Sequence, residues 1–164
     1  MDIQRGYRSG ALARCIEMHA TYYSREVGFG RAFEAVVASG LGEFAARMDS
    51  EMNAFFMAVH DERIVGTVAI DGEDIGDGCG HLRWFITGDE ARGTGIGRRL
   101  LAEALTFCDR RNFRETHLWT FKGLDAARHL YEANGFSLVE ERRGRQWGED
   151  VLEQRFVRRR AAGN

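Results

Sequence analysis

Arg92-Gly93-Thr94-Gly95-Ile96-Gly97-Arg98 is the stretch that decides the fold of this 164-residue chain. It follows a run of bulky apolar residues and precedes a segment whose apolar residues fall on one face of a helix. Its three glycines remove Cβ atoms where a strand turns into a helix. Backbone N–H groups in such a turn can converge on an anion, and the helix N-terminus adds partial positive charge. The stretch therefore predicts a phosphate or pyrophosphate site, although its spacing alone also fits a tight turn without a ligand.

Two common nucleotide motifs do not fit this stretch. The glycines form GxGxG and not GxGxxG, and no βαβ unit with a following acidic residue accompanies them, which argues against a dinucleotide site. Gly88 and Gly93 have the spacing of P-loop glycines, but Thr94 stands where that motif requires lysine. Neither type of nucleotide-binding protein is therefore expected.

Outside the glycine-rich stretch, the periodicity of apolar residues predicts alternating helices and strands. Helices are expected at 11–26, 32–48 with a break near Gly40 or Gly42, 96–108 and 124–134. Strands are expected at 2–5, 53–60, 63–71, 81–87, 116–121, 136–140 and 151–157, with a tight turn at Asp61-Glu62, an acidic loop at 72–80 and a frayed tail at 158–164. This order predicts an α/β sandwich with a mostly antiparallel sheet.

The composition is that of an ordinary globular protein, with 44% hydrophobic and 29% charged residues. No apolar run approaches the ~20 residues of a membrane helix, and the N-terminus lacks the apolar core of a secretory signal. We therefore expect one domain over residues 1–164, in the cytoplasm, without a membrane partner. A net charge of −2 gives no reason to expect nucleic acid. Cys15, Cys79 and Cys108 lack metal-ligand and CxxC spacing, so neither a disulfide nor a metal is expected.

Two motifs together resemble the GNAT superfamily of N-acetyltransferases. Arg92-x-x-Gly95-x-Gly97 is similar to the family signature Gln/Arg-x-x-Gly-x-Gly/Ala, and Leu130-Tyr131-Glu132-Ala133-Asn134-Gly135-Phe136 resembles its Leu-Tyr-x-x-x-Gly-Phe. The order of elements agrees over nearly the whole chain. The wording of residues 117–121 and 123–128 also resembles the acetyltransferase halves that some bacteria fuse to MarR-type regulators, but no winged-helix segment is present.

The resemblance implies a fold, a reaction and a cofactor site. The fold would be a GNAT-like α/β fold, with a mixed, mostly antiparallel sheet of about seven strands and about four flanking helices. The enzyme would move an acetyl group from acetyl-CoA to a primary amine of a small molecule or peptide, by direct attack in a ternary complex. The residues implied in cofactor binding are Phe85, Ile86 and Thr87, along the pantetheine arm, and Arg92, Gly93, Thr94, Gly95, Ile96, Gly97 and Arg98, at the pyrophosphate.

The resemblance also implies two catalytic residues. Tyr131 matches the tyrosine that protonates the leaving thiolate, although it could instead pack on the inner face of its helix. His81 lies where many relatives have a glutamate that deprotonates the amine, although a strand histidine is more often structural. The family's asparagine, seven residues before the tyrosine, is replaced here by Leu124, which puts one polar contact with the coenzyme in doubt.

The acceptor amine and the assembly state are open at this level. An aromatic wall of Trp84, Trp119, Phe121 and Trp147 would suit an apolar or cationic acceptor, but core packing explains the same residues. Family members often dimerise, so a homodimer through the closing strands is one option. A non-catalytic sensor or interaction module that binds acyl-CoA is the alternative function.

Overall fold

The computed structural model describes residues 1–160, and these form one seven-stranded sheet with helices on both faces. The strands are β1 Asp2–Arg5, β2 Ala54–His60, β3 Arg63–Asp71, β4 Cys79–Thr87, β5 Glu115–Phe121, β6 Phe136–Gly144 and β7 Val151–Arg159. The helices are α1 Ala11–Val27, α2 Arg31–Ala45, α3 Ile96–Arg110 and α4 Asp125–Ala133, with one 3-10 turn at Asp89–Ala91.

The strand order in the sheet is β1-β2-β3-β4-β5-β7-β6. All neighbouring strands are antiparallel except β4 and β5, which are parallel. This confirms the predicted mixed, mostly antiparallel sheet and its flanking helices. The tight turn of the β2–β3 hairpin is also confirmed, since Asp61 and Glu62 both have positive φ angles, 47° and 63°, as a two-residue hairpin turn requires.

The centre of the sheet is open. Strands β4 and β5 share three residue pairs, Cys79 with Glu115, Gly80 with Thr116 and His81 with His117, and then diverge. A bulge in β4 accompanies the divergence: the pairing with β3 shifts between Arg83 and Ile86, and Trp84 has a φ of 48°. Bulges bend a strand and re-aim its side chains.

Apolar residues fill both faces of the sheet because helices cover both of them. Leu100, Leu101 and Phe156 are buried on the side of α3 and α4, whereas Leu41 and Phe44 are buried on the side of α1 and α2. The bulge sends Leu82 to the first cluster and Trp84 to the second, although two residues apart on a regular strand would face the same way. Because both faces of the sheet are covered, nearly every residue of β2 and β3 is buried, and neither strand has an exposed polar face.

Three expectations about the elements are wrong. Helix α2 runs through Gly40 and Gly42 without a break. A Cβ at Gly40 would lie 3.1 Å from Nη2 of Arg83, so glycine allows the helix to approach β4 closely. Strand β6 continues to Gly144, because its charged residues lie on an edge strand where charge is tolerated. Strand β7 takes in Arg158 and Arg159 of the expected tail, and residues 161–164 lie outside the described part.

Candidate active site

The glycine-rich turn presents free backbone donors at the start of α3. Gly93 and Gly95 have φ angles of 76° and 84°, which other residues rarely adopt. Helix α3 has no side-chain cap, and within residues 1–160 no group accepts a hydrogen bond from the N–H of Gly93, Gly95 or Ile96. A Cβ at either glycine would meet no atom within 4 Å, so the turn is open to a ligand. Unpaired N–H groups at a helix N-terminus fit a pyrophosphate.

Arg92 is held in place by neighbours on three sides. Its Nη1 donates to Asp89 at 2.7 Å, its Nη2 donates to the carbonyl of Thr87 at 3.1 Å, and its guanidinium lies 4.3 Å from the ring centre of Tyr22. Arg25 of α1 binds the same Asp89 through two hydrogen bonds, of 2.6 and 3.0 Å. These contacts join α1, β4 and the glycine-rich turn at one rim of the site.

A cleft of about 950 Å³ runs from the glycine-rich turn into the gap between β4 and β5. It contains nine of the ten residues that the sequence implies for the cofactor, namely Phe85, Ile86, Thr87, Arg92, Gly93, Thr94, Gly95, Gly97 and Arg98. The tenth, Ile96, has its side chain in the core, so that only its backbone faces the turn. The opposite walls come from α1, through Tyr22 and Tyr23, and from the start of α4.

The backbone of β4 faces this cleft at alternate residues. The N–H of Gly88 donates to Val65 of β3 at 2.8 Å. Because backbone groups alternate along a regular strand, Thr87 directs its N–H and C=O away from β3 and into the gap. The carbonyl of Thr87 accepts from Arg92, and Phe85, which lies in the bulge, lines the same gap. The cleft and turn together fit coenzyme A.

Tyr131 lies where this cleft ends. It is 8% exposed, and its ring packs near Phe85, Phe136 and Phe156 with centroid distances of 5.9–6.3 Å. Burial raises the pKa of Tyr131, and the nearby hydroxyl of Tyr23 raises it further. Within residues 1–160 the hydroxyl has no hydrogen-bond partner. It can therefore donate its proton to a group in the cleft. The departure at Leu124 leaves an apolar side chain in the cleft wall, beside Asp125.

A second pocket, of about 140 Å³, lies between the sheet and helices α1 and α2. It shares Tyr23, Phe85, Thr120 and Tyr131 with the cleft, so the two spaces meet beside Tyr131. Its remaining walls are mostly aromatic or aliphatic. All four members of the expected aromatic wall, Trp84, Trp119, Phe121 and Trp147, line it, but Trp84 and Phe121 also belong to the core on that face.

His81 lines the second pocket and not the cleft. Its Nδ1 donates to Oδ2 of Asp74 at 2.7 Å, and its ring lies edge-on to Trp119 at 5.0 Å. Burial lowers the pKa of His81, and the Asp74 carboxylate opposes that effect without reversing it. The imidazole is therefore neutral at pH 7, and its Nε2 carries a lone pair.

His19 is a pocket residue that the sequence did not single out. It follows Ile16 and precedes Tyr23 at helical spacing, which is the pattern of a core face. Its ring is 6% exposed and lines the pocket beside Tyr23. Burial lowers the pKa of His19 to about 4. No signal in the sequence distinguishes this histidine from a packed core residue.

Two further groups of polar residues lie near the site, one at the acidic loop and one around Cys79. Asp71, at the start of the loop, makes two hydrogen bonds with Arg47, of 2.7 and 2.5 Å. Cys79, Glu115 and His117 have potential ligand atoms within 4.8 Å of one another. The sequence spacing did not indicate this cluster, because pairing of β4 with β5 creates it. Both nitrogens of His117 already have partners, Glu115 at 2.8 Å and Arg155 at 3.1 Å.

Comparison with known proteins identifies one family and many similar structures. The model of the Acetyltransferase (GNAT) family matches residues 12–136. No curated protein is similar enough in sequence to give a significant match. Among residues 1–160, no helix combines the length and hydrophobicity needed to cross a bilayer.

Three similar structures illustrate the likeness of fold. The ribosomal-protein-alanine N-acetyltransferase of Brucella melitensis has a TM-score of 0.77 at 15% identity, with 97% of this chain and 99% of that one covered. The PaiA N-acetyltransferase of Thermoplasma acidophilum, in complex with coenzyme A, has a TM-score of 0.72 at 18% identity, with 98% and 100% covered. YncA of Salmonella typhimurium, with acetyl-CoA, has a TM-score of 0.73 at 12% identity, with 100% and 99% covered.

Proposed function

The chain belongs to the GNAT family of acetyltransferases, which use acetyl-CoA, and from this premise we propose that it acetylates a primary amine of a small molecule or peptide by direct attack. One observation carries the proposal: a cleft that fits coenzyme A and a separate aromatic pocket meet at Tyr131. A reaction between two bound substrates needs such a junction.

The binding roles follow from the free backbone groups. The N–H groups of Gly93 and of residues 95–98, together with the dipole of α3, hold the pyrophosphate, while the N–H of Thr94 is used within the turn. The backbone of Phe85 pairs with the pantetheine arm, and its N–H faces the position of the acyl oxygen, where a fixed donor is most useful. Acetyl-CoA supplies an acetyl group activated as a thioester. Arg92 holds the rim through Asp89 and Thr87 rather than offering an unpaired charge.

The catalytic roles belong to two side chains on opposite sides of the junction. Tyr131 holds its proton at Oη, because burial raises its pKa, and can deliver it to a leaving sulfur. His81 accepts the amine proton at Nε2, with its Nδ1 fixed by Asp74. Cys15 and Cys108 do not serve as nucleophiles in this proposal, since they are buried thiols with raised pKa values. Cys79 lines neither the cleft nor the second pocket.

The proposal extends to cellular context. Residues 1–164 act as one N-acetyltransferase domain in the cytoplasm. Three further predictions belong to this proposal. The chain is similar to the acetyltransferase halves of MarR fusions, it comes from a bacterium, and it forms a homodimer through β6 and β7.

Tyr131→Phe tests the mechanism. The phenylalanine keeps the ring packing and removes the proton, so we expect kcat to fall about 100-fold while the Kd for acetyl-CoA stays the same. Thiol release over a panel of primary amines gives kcat, and calorimetry gives Kd. Tyr7→Phe, at a 63% exposed position, is the matched control.

Three outcomes count against parts of the proposal. Unchanged turnover in Tyr131→Phe removes this residue from the mechanism. Failure of the wild type to bind acetyl-CoA removes the cleft assignment. Tight binding without thiol release for any amine in the panel favours the acyl-CoA sensor.

A further inference from the structure

Among residues 1–160, no group forms a hydrogen bond with one imidazole nitrogen of His19. Its Nδ1 lies 2.7 Å from the carbonyl oxygen of Cys15. A carbonyl oxygen only accepts, so Nδ1 carries the proton. The ring is neutral at pH 7, which leaves a lone pair at Nε2.

That lone pair faces the second pocket. Within residues 1–160, Nε2 of His19 has no hydrogen-bond partner, and no fully enclosed side-chain nitrogen or oxygen is without one. Nε2 is therefore not sealed in the core but reaches the pocket that the ring lines. At the wall of a mostly apolar pocket this acceptor has no donor among residues 1–160, so a bound group with an N–H would complete the site.

A chain of hydrogen bonds fixes His19 relative to the β4 bulge. Thr67 donates its hydroxyl proton to the carbonyl of Trp84 at 2.7 Å, and its oxygen lies 3.4 Å from the thiol of Cys15. The backbone carbonyl of Cys15 accepts a hydrogen bond from Nδ1 of His19, which lies one helical turn later in α1. Helix α1 is thus tied to the residue before Phe85, which lines the cleft.

The charges around the pocket select the kind of amine. Among residues 1–160, no Asp or Glu side chain lines it, and its basic groups besides His19 are His81, which is neutral at pH 7, and Arg83. Nη1 of Arg83 lies 3.6 Å from Asp74 and 3.9 Å from Asp71, neither of which lines the pocket. The pocket therefore has no carboxylate to pair with a second cationic group of a substrate, and its size matches a single ring, since a dry cavity of about 150 Å³ binds benzene.

We propose that His19 binds the acceptor, accepting a hydrogen bond from the amine N–H at Nε2, and that the acceptor is a compact monoamine with an apolar body, bound in its neutral form. This inference rests on the proposed function, because it assigns the second pocket to the acceptor. His19 on α1 and His81 on β4 then present two acceptors to one nitrogen, whose lone pair is left free to attack.

Two substitutions separate binding from packing. His19→Asn keeps a donor near the Cys15 carbonyl but has no acceptor at the position of Nε2, whereas His19→Gln places an amide oxygen there. With 2-phenylethylamine as the probe, we expect kcat/KM for the amine to fall at least about tenfold in His19→Asn. His19→Gln should recover most of it, and the Kd for acetyl-CoA should not change in either. His60→Asn, at an exposed position outside both spaces, is the control.

A nitrogen-15 NMR titration of the complex with coenzyme A gives a readout without turnover. The Nε2 signal of His19, identified by its loss in His19→Asn, should move towards the hydrogen-bonded position when 2-phenylethylamine is added. Normal kcat/KM in His19→Asn, or an Nε2 signal that does not move, overturns the role of His19. Preference for spermidine over 2-phenylethylamine overturns the substrate class. If the wild type acetylates no amine, the proposed function fails, and the NMR titration still decides the role of His19.

Discussion

At the scale of single residues, the glycine-rich turn depends on backbone geometry more than on side chains. Gly95 has a φ of 84°, and a Cβ there would meet no protein atom within 4 Å. Gly95→Ala therefore introduces conformational strain of about 1–2 kcal/mol without a steric clash in the free protein. The new methyl group would enter the open space that we propose for the pyrophosphate.

Because Gly95→Ala adds strain without a clash, its effect on acetyl-CoA binding can be compared with that of a matched alanine variant elsewhere. We expect Gly95→Ala to weaken acetyl-CoA binding and Gly95→Arg to abolish it, both in folded protein. Gly10→Ala is the control, because Gly10 has almost the same backbone angles as Gly95 and equally open space but lies at the start of α1, outside the cleft lining. Calorimetry and thermal unfolding should show similar losses of Tm for the two alanine variants and weaker binding only for Gly95→Ala. Unaltered affinity in Gly95→Arg would contradict the cradle.

The residues of the site divide into those that sequence could find and those that it could not. Gly93, Gly95 and Tyr131 were found, because the turn and the end of α4 are local features with their own spacing. His19 and Asp74 were not found, since their importance arises only when α1 and the acidic loop fold against β4. A buried histidine in a helical repeat has the same sequence pattern with or without a pocket beside it.

At the scale of elements, α1 is attached to the rim of the cleft by exposed charges. Arg25 and Arg92 both bind Asp89, so that the C-terminal half of α1 is held beside the glycine-rich turn. Arg25→Met should raise the Kd for acetyl-CoA by about threefold, the modest effect of an exposed ion pair. The difference should disappear in 1 M NaCl, where such pairs are screened.

A comparison of two exposed arginines tests this attachment. Arg8 pairs with Glu62 away from the cleft, and Arg8→Met should leave the Kd unchanged at any salt concentration. Equal behaviour of the Arg25 and Arg8 variants in calorimetry would show that α1 does not need Asp89 to form the rim.

The boundaries of the elements show where sequence patterns are sufficient. Strands β1 and β3 were predicted to the residue, because β-forming runs end at clear turn residues. Helix α2 and strand β6 were not, and the reasons are tertiary: Gly40 packs against Arg83, and the charges of β6 suit an edge. The bulge at Trp84 had no signal in the sequence, since it reflects a shift in the pairing between β3 and β4.

At the scale of the whole molecule, one buried ion pair couples stability to pH. Burial alone would raise the pKa of Asp71, but its hydrogen bonds with Arg47 outweigh that effect and the pKa is lowered. A carboxyl whose pKa is lower in the folded protein stabilises it above the ordinary value of about 4, and this contribution is lost as the pH falls further.

Asp71→Asn should therefore lower the free energy of unfolding by roughly 2–3 kcal/mol at pH 7.5, somewhat less than for a fully buried pair because Arg47 is 31% exposed. The difference from wild type should shrink at pH 3, because that pH lies below the ordinary value for aspartate and unfolding then lets the Asp71 carboxyl take up a proton. Urea unfolding at both pH values measures it, with Asp61→Asn in the exposed hairpin turn as the control. A difference that does not vary with pH would mean that packing, not charge, explains the loss.

The three residue pairs between β4 and β5 have a consequence for how the protein unfolds. Strands β1 to β4 form one block and β5, β7 and β6 form another, and little hydrogen bonding crosses the seam. A pantetheine arm lying in that seam would act as a short eighth strand that joins the two blocks. The cellular level of acetyl-CoA would then govern whether the blocks open separately or melt as one cooperative unit.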